Sequence, residues 1–347
     1  MKLGVVGLIV LACAVVAAVL LSATSATPAA EGTWLAWEEW RGGETKTPDV
    51  LAVNLDDADA GPLTFSDKGW EEEPALSEEL LLWANDEGGD DDASLIYRRT
   101  PPAGEPSPVD QRDEHQHTPA VSGDWVVWLE STDADVEGGS LWTDRLVGYN
   151  LTRGERRVLV ETVVDVEALS ISGERVVWID ERRGGEGRYD VRAYDLGTNK
   201  ESILQTYVDM PIPGGARVSG SWALWYLDDY DTDTWRVVAY DLINGKLRIL
   251  PKDATNASDD GWVVCNEGPE VSLLSLASGE RRQVASDATD FSYAQVHLPW
   301  VAWLELDLGP DSKGSVIRAV NVDTGEQRRF ETPENQAEGI RLTITKD

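Results

Sequence analysis

The chain carries an internal repeat along most of its length, and this repeat restricts the possible folds more than any other feature. The clearest copies are VSGDWVVW at 121–128, ISGERVVW at 171–178 and VSGSWALW at 218–225. Each copy ends at a marker position, and the seven markers are Trp37, Trp83, Trp128, Trp178, Trp225, Cys265 and Trp303. Successive markers are 46, 45, 50, 47, 40 and 38 residues apart. This spacing indicates one supersecondary unit repeated seven times.

Each unit contains short segments in which apolar and polar residues alternate. After the marker comes a polar loop, and then a segment such as VRAYDLGT at 191–198 or VVAYDLING at 237–245. A further segment such as KLRIL at 246–250 follows the turn. The period of two, the β-branched and aromatic residues and the glycine turns all favour antiparallel β-strands. No segment after residue 30 shows helical periodicity.

Four strands in roughly 45 residues, repeated seven times, predict an all-β fold, a seven-bladed β-propeller over residues 31–347. The first unit lacks its leading strand, because Trp34 follows almost directly on the N-terminal apolar segment. The last unit is complete at Glu331, yet LTITKD at 342–347 aligns with the leading-strand sequence LSISGE at 169–174. We therefore expect the C-terminal strand, within 339–347, to complete blade 1 and to hide both sheet edges.

The fourth unit reads WIDERRG at 178–184 and then DVRAYDLGT at 190–198, and Trp37, Glu39, Arg41 and Gly43 repeat the spacing of the first stretch. This pattern resembles the TolB-like surface β-propeller repeat, a WD-like propeller family. The resemblance covers nearly all of the chain after the N-terminal segment and is closest in units three to five. It implies a propeller and an extracytoplasmic binding or scaffolding habit, but no reaction.

The N-terminal segment predicts export. An uncharged apolar run occupies residues 3–21, preceded by Lys2 and followed by small residues up to Ala30. This order is typical of a signal peptide, and the run is also long enough to remain as a membrane anchor. We expect an extracytoplasmic protein, either secreted or anchored through residues 1–30, with no other membrane contact.

The charge of the chain excludes several functions. The sequence has 63 Asp and Glu against 30 Lys and Arg, a net charge of −33. Nucleic-acid binding needs clustered Lys and Arg, so we expect no nucleic-acid partner. Three His and two Cys provide little for a zinc site or a disulfide framework. Cys265 is interpreted as a small buried hydrophobic residue.

The marker tryptophans are interpreted as packing residues between blades rather than as ligand contacts, because they recur once per unit. An acidic residue follows two positions after most markers, as in Glu39, Glu130 and Asp180. We interpret these carboxylates as anchors for the loop of each blade, with Arg41 or Arg182 as partners, rather than as catalytic acids.

Long acidic loops provide the best candidate for a binding surface. In an antiparallel four-stranded blade, the connection between the second and third strands and the link to the next blade emerge at the same end. That end collects the candidate binding residues Asp90, Asp133, Asp135, Tyr230 and Trp235. We expect it to be strongly negative.

Asp229, Asp231 and Asp233 form a candidate metal site. Their alternating spacing matches the start of a calcium-binding loop, because Ca²⁺ takes several oxygen ligands from neighbouring residues. However, Thr234 and Tyr240 stand where such a loop has glycine and glutamate. Calcium is the one cofactor that the sequence suggests, and an ordinary solvated loop is the alternative.

These observations favour an exported, non-enzymatic binding or scaffolding module whose partner is a protein or a cell-surface glycan. The alternative is a polysaccharide-acting hydrolase or lyase with a propeller fold. A lyase with metal-dependent chemistry would need several His, and a hydrolase would need two carboxylates outside the repeat pattern; neither stands out. A structural surface-layer subunit is a third interpretation. We expect a monomer.

Overall fold

The computed structural model describes residues 32–41, 47–65, 70–77, 80–86, 94–102, 104–112, 114–131, 143–164, 166, 168–181, 187–230, 234–289, 291–305, 315–332 and 342–346. These residues form 28 strands and no helix. The strands make seven antiparallel sheets of four strands each. The protein is a seven-bladed β-propeller, as the repeat predicts.

The strand bounds follow the chain, four strands to a blade. Blade 1 contains β1 (Thr33–Arg41), β2 (Thr47–Asn54), β3 (Leu63–Thr64) and β28 (Leu342–Lys346); blade 2 contains β4 (Trp70–Ser77), β5 (Leu80–Asp86), β6 (Leu95–Arg99) and β7 (Ser107–Pro108); blade 3 contains β8 (Gln116–Ser122), β9 (Trp125–Ser131), β10 (Thr143–Asn150) and β11 (Glu155–Val164). Blade 4 contains β12 (Leu169–Ser172), β13 (Arg175–Asp180), β14 (Arg188–Asp195) and β15 (Lys200–Val208); blade 5 contains β16 (Ile212–Ser219), β17 (Trp222–Asp229), β18 (Thr234–Asp241) and β19 (Lys246–Ile249). Blade 6 contains β20 (Ala254–Asp259), β21 (Trp262–Glu267), β22 (Glu270–Ser275) and β23 (Arg281–Ala285); blade 7 contains β24 (Phe291–His297), β25 (Trp300–Glu305), β26 (Val316–Asn321) and β27 (Gln327–Glu331).

The C-terminal strand closes the ring. β28 pairs antiparallel with β1, with Leu342 opposite Trp37 and Ile344 opposite Leu35. It occupies the inner position of blade 1, and it also contacts the inner strands β24 and β4 of the two neighbouring blades. The predicted closure is confirmed. The strand begins at Leu342, and residues 339–341 lie outside the described residues.

Seven apolar clusters hold the blades together, one at each interface between neighbours. Every marker packs against the preceding blade. Trp178 lies with Leu129 and Leu146 of blade 3, for example, and Trp37 lies with Leu304 of blade 7. All six marker tryptophans are at most 1% exposed. Their interpretation as inter-blade packing residues is confirmed, and Cys265 fills the same place between blades 5 and 6.

The carboxylates that follow the markers satisfy the buried indoles. The indole Nε1–H groups of Trp178 and Trp128 donate to Asp180 over 2.8 Å and to Glu130 over 3.2 Å. Trp37 and Trp303 donate in the same way to Glu39 and Glu305 over 3.2 and 3.1 Å. A buried polar group needs such a partner. The acidic residue therefore recurs because the tryptophan recurs.

Arginines on neighbouring strands complete these pairs, and they are not the ones that the sequence suggested. Arg192 on β14 donates to Asp180 over 3.0 Å, and Arg318 on β26 donates to Glu305 over 3.2 Å. The side chain of Arg41 and all of Arg182 lie outside the described residues. Asp180 and Glu305 are thus bonded to an indole and to an arginine within the sheet, and the expectation that they anchor the loop of each blade stays a prediction, because residues 182–186 and 306–314 lie outside the described residues.

A second set of hydrogen bonds links the inner strands of blades 2 to 6 to the first turn of the blade that follows each of them. Ser77 Oγ accepts from the backbone N–H of Gly123 over 3.1 Å, and Ser122 Oγ accepts from that of Gly173 over 2.9 Å. Further bonds of this kind run from Gly220 to Ser172, from Asp260 to Ser219 and from Leu298 to Asp259. The serine of the repeat thus fixes the angle between blades.

Candidate functional site

The two ends of the ring differ in their connections. At one end, which we call the loop face, lie the connections between the second and third strands and the links between blades. At the other end lie tight turns with glycines in the left-handed region, such as Gly123 and Gly173. Turns this short leave little room for variable side chains, so the loop face is the end at which blades can differ.

Only part of the predicted binding and metal residues falls within the described structure. Asp229 ends β17, Tyr230 follows it and Trp235 lies in β18, all at the loop face of blade 5. The remaining candidates lie outside the described residues; they are Asp90, Asp133, Asp135, Asp231 and Asp233. The assignment of these eight residues to a site therefore stays a prediction.

Aromatic side chains are exposed on blade 5. Tyr226, Tyr230 and Trp235 are 37%, 65% and 51% exposed, and we call these three residues the blade-5 aromatic surface. Tyr226 pairs with Val237, which packs against blade 6. Because Trp235 is two positions from Val237 on the same strand, it lies on that side of the sheet too. Tyr226 and Trp235 therefore face the groove between blades 5 and 6.

The short second hairpin of blade 6 explains why this surface is uncovered. β21 ends at Glu267 and β22 begins at Glu270, so two residues make the turn. The second strand of blade 5, β17, has 8 residues, whereas the second strand of blade 6, β21, has 6. Blade 6 therefore ends below the loop-face end of blade 5 and leaves the outer residues of β17 and β18 exposed. The sequence indicated Tyr230 and Trp235 but not Tyr226, because Tyr226 is exposed only as a result of the short hairpin in the neighbouring blade 6.

Two glycines on the inner strand seat the Tyr226 ring. A Cβ atom on Gly214 would lie 2.3 Å from the Tyr226 ring, and one on Gly215 would lie 2.7 Å from it. Gly215 also has a φ of +59°, which a glycine adopts readily. The Gly215 carbonyl accepts a hydrogen bond from Asn256 Nδ2 of blade 6 over 2.7 Å. The Gly-Gly pair thus brings Tyr226 and Asn256 together beside the inner strands.

The inner strands carry a bulge opposite the marker. In blades 2, 3, 5 and 7 the register between the inner strand and the second strand shifts at this bulge. The bulged residues with positive φ are Glu73, Thr118, Gly215 and Tyr293. Glu73 accepts a hydrogen bond from the Thr118 N–H and donates its own N–H to Glu38 over 3.1 Å. Bulges of this kind re-aim side chains near functional sites. Glu73 thus places a carboxylate beside the inner strands of blades 2 and 3, which surround the channel together with the other inner strands.

The opposite side of the channel is neutral or positive. Arg217 on β16 reaches Gln295 on β24, and its Nη1 donates to the Gln295 Oε1 over 3.1 Å. Burial lowers the pKa of Arg217. Tyr293, two residues from Gln295, is 50% exposed at the loop-face half of the same strand. The repeat does not indicate a role for Arg217, because the same position is alanine in blades 2 and 3 and glutamine, Gln295, in blade 7.

His115 and His117 lie together but do not complete a recognisable metal centre. Their rings are 5.4 Å apart, His115 Nδ1 lies 3.0 Å from Ser94 Oγ, and His117 Nε2 lies 3.4 Å from Asp144 Oδ1. Burial and the neighbouring His117 lower the pKa of His115. Within the described part of the chain, no group of three or more His, Cys, Asp or Glu residues is arranged to hold a metal ion.

The fold is shared with many solved proteins, although neither a family model nor a curated protein matches the sequence. A puromycin hydrolase mutant complexed with PGG is 13% identical, with a TM-score of 0.62; 89% of this chain aligns with 53% of that chain. An oligogalacturonate lyase in complex with manganese is 12% identical, with a TM-score of 0.55, over 87% of this chain and 86% of the lyase. TolB from Acinetobacter baumannii is 11% identical, with a TM-score of 0.48, over 90% of this chain and 82% of TolB.

The seven four-stranded sheets define the class of the protein, a seven-bladed β-propeller, and the comparisons with the puromycin hydrolase and the lyase agree with it. At such low identities they show the fold alone, and the chain spans about half the length of the puromycin hydrolase. The more specific assignment to the TolB-like repeat family stays a prediction, because no family model matches. Among the described residues no helix is long and apolar enough to cross a membrane, and residues 1–31 lie outside them.

Proposed function

We propose that the protein is an exported, non-enzymatic binding module that acts at the cell exterior, and that its partner, a protein or a cell-surface glycan, docks on the loop face at blade 5. One observation carries this proposal. The blade-5 aromatic surface exposes Tyr226, Tyr230 and Trp235 together at the loop face, beside the groove between blades 5 and 6.

Aromatic residues suit such a role for a physical reason. Tyr and Trp provide a large apolar face with a polar edge, and they dominate the binding energy of many interfaces. Asp228 pairs with Trp235 across the sheet, and Asp229 lies next to Tyr230. Apolar rings beside carboxylates favour a partner that offers a flat apolar surface and hydrogen-bond donors or positive charge, such as a sugar ring or a basic protein segment.

The proposal is tested by a screen of the full chain against immobilised glycans, cell-wall fragments and envelope proteins. Trp235→Ala and Tyr230→Ala should each weaken binding of the selected partner about tenfold or more, because exposed aromatic anchors typically contribute 2 kcal/mol or more. Ile243→Ala is the matched control, since Ile243 is 71% exposed in a turn of the same blade at the opposite end. Equal binding by all three variants would contradict a site at blade 5.

A polysaccharide-acting hydrolase or lyase is the second candidate, because the oligogalacturonate lyase has the same fold over most of its length. Incubation with polygalacturonate and with neutral polysaccharides distinguishes the two candidates. A binding module leaves the number of reducing ends and the ultraviolet absorbance unchanged over hours. New reducing ends would indicate hydrolysis, and absorbance from unsaturated ends would indicate elimination.

A further inference from the structure

Arg217 lies inside the channel that the seven inner strands surround. Its partner Gln295 belongs to blade 7, whereas Arg217 belongs to blade 5, so the 3.1 Å hydrogen bond between them passes in front of blade 6. Arg217 pairs with Leu224, the residue before the marker. In blades 2 and 3, the inner-strand residues that pair with the residue before the marker are Ala75 and Ala120. Both alanines pack against the clusters between blades, whereas Arg217 extends to blade 7.

Three other arginines, with side chains at most 16% exposed, are paired with carboxylates. Arg192 contacts three carboxylates, those of Asp180, Asp190 and Glu201. Arg318 contacts Asp287 and Glu305, and Arg156 contacts Asp110 and Glu130. These contacts follow the general rule that a buried charge is paired.

Arg217 departs from this rule. Its one hydrogen bond to a described residue goes to a neutral amide, and no carboxylate of the described residues lies within ion-pair distance of it. Burial lowers its pKa, and no acidic neighbour raises it. This occurs in a chain with 63 Asp and Glu. Arg217 is half-buried, and a guanidinium that is partly removed from bulk water without a counter-charge destabilises the folded protein, so a bound anion would offset that cost.

We propose that the central channel contains a binding site for a single carboxylate group, with Arg217 as the charged contact and Gln295 as the residue that positions it. The planar guanidinium matches the geometry of a carboxylate, and the bond to Gln295 engages only Nη1 and leaves other N–H groups available. The site is distinct from the blade-5 aromatic surface and does not depend on it.

The charge of the protein narrows the ligand class. A polyanion would be repelled by a net charge of −33 and by carboxylates such as Glu38 and Glu73 near the channel. A molecule with one carboxylate that is otherwise neutral is repelled far less than a polyanion, and one that also carries positive groups is attracted to the acidic surface; either needs one cation inside. A small carboxylic acid and the C-terminus of a neutral or basic peptide both fit this description.

The full chain is titrated by calorimetry at low ionic strength with three probes: acetate, the peptide Lys-Ala-Ala with a free C-terminus, and the same peptide as its C-terminal amide. We expect the free acid to bind about tenfold or more tightly than the amide, because a hydrogen bond to a charged group contributes about 1.5–3 kcal/mol. Saturable binding of acetate as well would identify a small acid as sufficient; binding of the free peptide alone would identify a peptide C-terminus.

Arg217→Gln removes the charge and should abolish the preference for the free acid, whereas Arg217→Lys should retain part of it. Arg145→Gln is the matched control, because it makes the same charge change at an exposed pair with Glu161. Thermal unfolding checks folding: Arg217→Gln should melt at or above the temperature of the original protein. Three results would overturn the proposal: equal affinity for acid and amide, no saturable response to acetate or to the free peptide, or an unchanged preference in Arg217→Gln.

Discussion

The pairing of β28 with β1 predicts that Ile344 stabilises the protein as much as the equivalent residue of an uninterrupted blade. Ile344 is 9% exposed, pairs with Leu35 and lies in the cluster that joins blades 1 and 7. Ile171 occupies the same place in blade 4, where it is 8% exposed and pairs with Val176. The two isoleucines differ only in that Ile344 reaches its blade from the far end of the chain.

The size of the effect follows from burial. An Ile→Ala change deletes about three buried methyl or methylene groups, each contributing about 0.8 kcal/mol, and the cavity left behind raises the total to about 2–4 kcal/mol. We expect Ile344→Ala and Ile171→Ala to lower the free energy of unfolding by similar amounts in this range.

Urea unfolding followed by tryptophan fluorescence measures the free energy of unfolding of both variants. The comparison holds if the slope of that free energy against urea concentration is unchanged. Ile243→Ala, at an exposed turn, should stay within about 0.5 kcal/mol of the original protein. If Ile344→Ala behaves like this control while Ile171→Ala is destabilised, the C-terminal strand does not close the ring. Deletion of residues 338–347 should cost more than either substitution, because it also exposes the edge of β1.

Four further predictions concern single features of the blades. Asp180→Asn should destabilise the protein by about 1.5–3 kcal/mol in urea unfolding, because the buried guanidinium of Arg192 loses one of its three carboxylate partners, whereas Glu267→Gln at the same repeat position should be neutral because Glu267 is exposed. Burial raises the pKa of Cys265 to about 12, so a thiol reagent at pH 8 should label it only after unfolding, and rapid labelling of the native protein would contradict this. Gly214→Ala should displace the Tyr226 ring and lower stability by about 1–3 kcal/mol, with no loss expected for Gly123→Ala beyond its backbone strain, because a Cβ on Gly123 meets open space. If Asp229, Asp231 and Asp233 bind calcium, millimolar Ca²⁺ should raise the melting temperature more than Mg²⁺ and Asp231→Asn should remove the difference; equal responses would leave a solvated acidic loop.

The exposed contacts could not be read from the repeat. Tyr226 is exposed because the neighbouring hairpin of blade 6 is short, and Arg217 is unpaired by the described carboxylates because the inner strands bring blade 5 opposite blade 7. The exposure of Tyr226 and the lack of a carboxylate beside Arg217 both depend on how segments about 40 to 80 residues apart are placed relative to one another. The position of a residue within its own repeat does not determine this placement. The acidic residues after the markers illustrate the same limit, because the repeat did not indicate the arginine partners that Asp180 and Glu305 have on the next strand.

The sequence by itself determined the architecture. The spacing of seven markers, the alternation of apolar residues and the leading strand displaced to the C-terminus led to a closed seven-bladed ring, because each unit must bury the same face against the next one. Only the tertiary structure decided which side chains remain available for binding. A side chain is available for binding only where the neighbouring blade does not cover it. Blade 6 is too short to cover the loop-face end of blade 5. Arg217 extends into the channel and has no carboxylate partner among the described residues.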